Sequence, residues 1–192
     1  MENTRTKTTR NSLILLLTAA IWGMAFVSQS KGMDYMHPFT FNGVRSLIGA
    51  ASILVYILIS RKIAGDKAAP LDWKLNVKAG LLCGIFLTIA STLQQFGIKY
   101  TSVGKAGFIT TLYIIFVPMF GIFLKKKVAP VVWAAAVMAA VGMYLLCMTE
   151  SLRLGAGDIM VFLCAIAFAI QIMTVDHYAA RIDGAVVSCI QF

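Results

Sequence analysis

The stretch HPFTFNGVRSLIGAASILVYILIS, His37 to Ser60, decides the architecture. From Phe39 it is almost wholly apolar for about 20 residues, the length a helix needs to cross the hydrocarbon of a bilayer. One permanent charge, Arg45, breaks the run. It stands about six residues in from Phe39, or roughly 9 Å at 1.5 Å per residue. An arginine at that depth either reaches back to the membrane surface or faces an interior that accepts a cation. Asn42, Arg45, Gly49, Ser52 and Tyr56 recur at spacings of three and four, which puts them on one helical face. Arg45 thus shares a polar stripe, and a cavity-facing role is the favoured reading over an interfacial anchor.

The rest of the chain repeats this pattern. Of 192 residues, 59% are hydrophobic and 13% charged. A soluble domain sits near ~45–50% apolar and about 25% charged. The chain therefore reads as an all-α, polytopic transmembrane helix bundle. Apolar runs cover about 12–30, 39–60, 77–98, 104–124, 130–149 and 157–177, and a seventh begins near Ala185. That last run stops at Phe192 inside an apolar stretch, which reads as a chain that continues. No signal-peptide cleavage site follows the first run. Cys83, Cys147, Cys164 and Cys189 each lie in apolar runs and form no C-x-x-C pair, so they read as small core or lipid-facing residues.

The net charge of +9 does not point to nucleic acid, because the basic residues cluster between apolar runs. Twelve Lys and Arg fall in the tail (Arg5, Lys7, Arg10), the 61–78 loop, Lys125 to Lys127 and Arg181. Four (Lys31, Lys99, Lys105 and Arg153) fall in the opposite loops. This bias places the N-terminus in the cytoplasm, of a cell inner membrane crossed many times. Gly80 with Gly84, Ala135 with Ala139 and Ala136 with Ala140 are small-xxx-small pairs that let helices approach closely.

Further polar stripes mark a candidate path. Trp22 lies with Thr18 and Gln29 in the first helix, and Ser91 and Gln95 lie with Thr88 and Lys99 in the third. Thr110 and Tyr113 stand above Pro118, which removes a backbone bond and is the expected kink of the fourth helix. Gln171, Thr174 and Tyr178 follow in the sixth. The substrate-path candidates are Trp22, Asn42, Arg45, Ser91, Gln95, Thr110, Tyr113 and Gln171. A transport path requires these stripes to converge on one cavity. The bland alternative is that Ser and Thr hydroxyls satisfy themselves on their own helix. No acid lies deep: Asp34, Asp66, Asp72, Glu150 and Asp183 sit at loops, Asp176 and His177 at a helix end. Asp158 follows Gly155 and Gly157 and reads as a helix N-cap.

Several pieces in order resemble the EamA-type transporters of the drug/metabolite transporter superfamily. They are LLLTAAIWGMAFV with Trp22-Gly23, Arg45 early in the second helix, YTSVGKAGFITTLYIIFVPMFGIFL (100–124), WAAAVMAAVGMYLL (133–146) and LGAGDIMVFLCAIAFAIQI (154–172). The chain departs from the family's frequent Glu-Arg pair after the fourth helix, carrying Lys125-Lys126-Lys127 instead. The resemblance implies a ten-helix protein of two inverted five-helix repeats. On that reading 1–11 is a cytoplasmic tail, 12–150 the first repeat and 155–192 the truncated start of the second. LLLTAAIW (15–22) lies over VFLCAIAF (161–168) at a shift of 146, with Leu17/Leu163 and Ala19/Ala165 identical, and the same shift carries Arg45 onto Gln191.

The function implied is secondary transport of small organic metabolites by alternating access, with export of amino-acid-like solutes favoured. A non-transporting membrane scaffold or assembly protein is the alternative. There is no G-x-x-x-x-G-K-[ST] loop for ATP and no H-E-x-x-H zinc motif, so no cofactor, metal or catalytic residue is expected. GAGD (155–158) matches the G-x-G-D of intramembrane aspartyl proteases, but no second mid-helix aspartate accompanies it. The expected partners are a small-molecule substrate and the lipid bilayer, with a homodimer open and no nucleic acid.

Overall fold

The computed structural model describes residues 2–65, 71–125, 128–147 and 155–192. Asp66, Lys67, Lys126, Lys127, Glu150 and Arg153 lie outside them, as do the side chains of Arg5, Lys7 and Cys147. The described residues form helices α1 (Glu2–Gly32), α2 (Pro38–Ala64), α3 (Trp73–Tyr100), α4 (Val103–Thr111), α5 (Tyr113–Phe123), α6 (Pro130–Cys147), α7 (Ala156–Tyr178) and α8 (Gly184–Gln191). Five segments are long and apolar enough to cross a membrane: Thr9–Gly32, Pro38–Ala64, Trp73–Tyr100, Val103–Phe123 and Ala156–Tyr178. The chain is a multi-pass membrane protein with an all-α bundle.

Two boundaries differ from the expected ones. Helix α1 begins at Glu2, well inside the stretch read as a tail. No Gly or Pro interrupts ENTRTKTTRNS, and extending a formed helix adds one bond per residue fixed. The fourth span is two helices that meet at Leu112. There the Leu112 amide donates to Ile109 O at 3.2 Å, a tighter turn than the α pattern. Thr111 Oγ1 bonds Gly107 O at 2.7 Å, the back-bonding that bends helices. Pro118 lies inside α5, six residues beyond this interruption.

Helix α3 is the axis of the bundle, with α7 and α8 against it. Along its first half, a Cβ on Gly80 would meet Ile190 Cγ2 at 2.6 Å, and one on Gly84 would meet Gln191 Cα at 3.1 Å. The small-xxx-small pair read from the sequence thus receives α8. At the other end a Cβ on Gly97 would stand 2.3 Å from Val161 Cγ2 and 2.9 Å from Gly157 O. Only residues without side chains let α3 and α7 touch backbone to backbone there. Two apolar clusters fill the seams. One joins Ala90 to Cys164, Ala167 and Phe168; the other joins Ile98 to Ala106, Ile109 and Val161. Ala136, Ala139 and Ala140 of α6 surround, with Phe108, Leu112 and Ile115, a void of about 10 Å³. Cys83 and Cys164 are buried and unbridged, and Cys189 donates to Ala50 O.

Candidate functional site

The bundle has an end where α1, α3 and α6 begin, here called the near end, and an opposite far end. The expected path residues do not line one cavity among the described residues. They fall into three groups at three levels.

The first group is polar and lies toward the far end. Asn42, one turn into α2, donates through Nδ2 to Ser91 O of α3 at 3.1 Å. Its Oδ1 accepts from Arg45 Nη2 at 3.1 Å. The guanidinium also lies 5.8 Å from the Phe41 ring centroid, so it turns back toward the start of α2. Arg45 is exposed and pairs with no carboxylate among the described residues. One turn beyond Ser91, Gln95 is 0% exposed and donates through Nε2 to Gln29 O at 3.4 Å. Gln95 Oε1 and Gln29 Oε1 are buried without a partner among the described residues. Leaving such an atom unpaired costs about 1–3 kcal/mol. Beside them Gln94 Nε2 donates to Thr110 Oγ1 at 3.2 Å.

The second group is aromatic and lies at mid-depth. Trp22 and Tyr113 pack edge to face, 6.2 Å between centroids, and Tyr113 meets Phe168 at 6.5 Å. Trp22 is the fourteenth of 24 residues in its span, Tyr113 the eleventh of 21 and Phe168 the thirteenth of 23. Three rings from three helices therefore meet near the midplane, directly after the break at Leu112. Trp22 remains 49% exposed. Phe168 was not among the sequence candidates, yet the 146-residue shift places it on Trp22.

Gln171 forms the third group, donating through Nε2 to Gln191 Oε1 at 3.2 Å and so tying α7 to α8. Four stripe hydroxyls follow the bland alternative, Ser91 among them through the Thr88 carbonyl at 3.2 Å. Thr18, Ser52 and Thr174 bond the carbonyls of Ile14, Ile48 and Ile170 on their own helices.

At the far end α3, α4 and α7 are tied together by an arrangement the sequence did not disclose. Gly155, not Asp158, is the N-cap of α7. Asp158 is the third residue of the helix and reaches back to the Gly155 amide at 2.9 Å, the return half of a capping box. Its carboxylate also accepts from Thr101 Oγ1 at the end of α3 and lies 3.6 Å from Lys105 Nζ of α4. Asp158 is 4% exposed, so this is a buried ion pair rather than a solvated interfacial acid. Among the described residues the partners of its carboxylate are Lys105, Thr101 and the Gly155 amide. Toward the near end a groove of about 530 Å³ opens between α3, α5 and α7, lined by Leu82, Phe120, Ile170, Met173, Thr174 and His177 among others.

A helical bundle of this kind, with a broken span at mid-depth, has a match in sequence. The model of the EamA-like transporter family matches residues 10–148. The chain belongs to the EamA-like transporter family. It is also 31% identical over 171 residues to an uncharacterized transporter of Archaeoglobus fulgidus, covering 86% of this chain and 48% of that protein. The chain spans about half the length of this curated relative. No solved structure matches it. The family match runs from Arg10 in α1 to the end of α6, and α7 and α8 lie beyond it.

Proposed function

We propose that this EamA-like chain carries the first five-span repeat (12–150) and the opening of an inverted second repeat (from 155) of a secondary transporter. It moves small organic metabolites without ATP, and amino-acid-like solutes leaving the cell are the favoured cargo. The basic bias of the near-end loops supports a cytoplasmic N-terminus in the inner membrane. The observation that carries the proposal is the meeting of Trp22, Tyr113 and Phe168 at mid-depth beside the interrupted helix at Leu112. Secondary transporters bind cargo near the bilayer midplane, between repeats and at discontinuous helices. Aromatic faces offer apolar area and attract cationic groups. The groove at the near end and the tie between α3, α4 and α7 at the far end fit an inward-facing state.

A second reading, a non-transporting scaffold, draws on a different observation: Asn42, Gln94 and Gln171 direct their side chains to neighbouring helices. Flux separates the two. Vesicles holding the full-length protein, loaded with a metabolite panel, are expected to show solute movement that Tyr113→Ala and Trp22→Ala abolish and Tyr113→Phe retains. Absence of flux for the whole panel, or flux indifferent to Tyr113→Ala, overturns the transport reading at this site.

A further inference from the structure

We propose that Gln29 and Gln95 form a second station, which holds the ammonium group of the transported solute between α1 and α3 toward the far end. The proposal rests on the transport reading above and adds to it a site and a chemical class. Gln95 is oriented by its bond to the Gln29 carbonyl: the nitrogen must face that oxygen, so Oε1 points away from it. Gln29, itself 5% exposed, contributes the second unpaired oxygen. Each of these buried amide oxygens can only accept, so a group that satisfies either is a hydrogen-bond donor.

The surroundings favour a cationic donor. Helix α1 ends at Gly32 and α3 at Tyr100, within a turn or two of the pair, so two C-terminal dipole ends point the same way. The cations nearby are exposed or bonded elsewhere. Lys31 and Lys99 are exposed, with Lys99 Nζ 5.9 Å from the Tyr100 ring, and Arg45 is bonded to Asn42. His37 stacks on Phe39. The contact between α3 and α7 lies a little nearer the far end, on the opposite side of α3. Gly97, two residues past Gln95, is pressed against Gly157, and Thr101 and Lys105 hold Asp158. An ammonium drawn to the mid-depth rings would find its next acceptors one level nearer the far end.

The test uses purified full-length protein in detergent on a Trp22→Ala background, which removes the aromatic contribution. The probes are n-butylammonium and butyltrimethylammonium, which share a chain and a charge but differ in N–H donors. Thermal unfolding is expected to show stabilisation by n-butylammonium and little by its trimethyl counterpart. Gln95→Leu is expected to weaken the n-butylammonium effect about tenfold in midpoint concentration, and Gln95→Glu to strengthen it about as much. Gln29→Met supplies the same loss if Gln95→Leu does not fold. Equal response to both probes overturns the proposal. So does a Gln29 or Gln95 variant that gains stability while its n-butylammonium response is unchanged, the result a resident water would give. Failure of vesicle flux with this binding pattern intact counts against the transport reading and leaves the station supported.

Discussion

Asp158 and Lys105 meet as a buried ion pair, Oδ2 to Nζ 3.6 Å, although one opens α7 and the other lies in the first turn of α4. Removing one partner of such a pair strands the other and costs about 3–5 kcal/mol. Asp158→Asn and Lys105→Met are each expected to destabilise the protein by that order. Reversible unfolding in mixed micelles is the measurement. The double variant is expected to recover much of the loss, because no uncompensated charge stays buried.

A contrast is available at the near end. Arg61 Nη2 lies 3.2 Å from Asp183 Oδ2, but both side chains are more than a third exposed. Exposed pairs contribute about 0–1 kcal/mol, and Arg61→Ala is expected to fall in that range. Asn76 beside it is buried, donating to Asp72 O at 2.8 Å and accepting from the Asp183 amide at 2.9 Å. Asn76→Leu leaves the Asp183 amide without its acceptor, while Asp72 O keeps the backbone amide of residue 76 at 3.0 Å, and is expected to cost about 1–3 kcal/mol. The same unfolding experiment ranks the two, and an Arg61 effect larger than that of Asn76 refutes the ordering.

Gly97→Ala is expected to destabilise by about 1–3 kcal/mol, since the added methyl overlaps Val161 and the Gly157 carbonyl. Gly23→Ala is the control: nothing lies within 4 Å of its Cβ position. There the gain in helix propensity, up to about 1 kcal/mol, leaves stability equal or raised. Thermal midpoints of the two variants decide it.

The spans were legible because bilayer crossing demands a length and a composition that few other structures share. The packing face of Gly80 and Gly84 was legible too, though not that α8 would fill it. The interruption at Leu112 was not, because nothing in a Thr-Thr pair announces whether Thr111 will bond back to Gly107. The tie between Lys105 and Asp158 was hidden for a different reason. Each residue alone resembles an interfacial charge, and only the contact between Gly97 and Gly157 buries them together. Among the candidate residues, Trp22 and Tyr113 come together, while Asn42, Arg45, Ser91, Gln95 and Thr110 gather nearer the far end. One helical face fixes direction but not depth, and depth separates these two sets.

Helix α3 carries an aspartate-based fastening at each extremity, Asp158 through Thr101 and Asp183 through Asn76. The two act on different helices, α7 and α8, which run in opposite directions. A slip of one helical turn, about 5.4 Å, along α3 would break a fastening whichever way it went. Rotation about the length of α3 strains them far less. The geometry therefore resists sliding and tolerates rolling, so α3 acts as an axle for the elements packed on it.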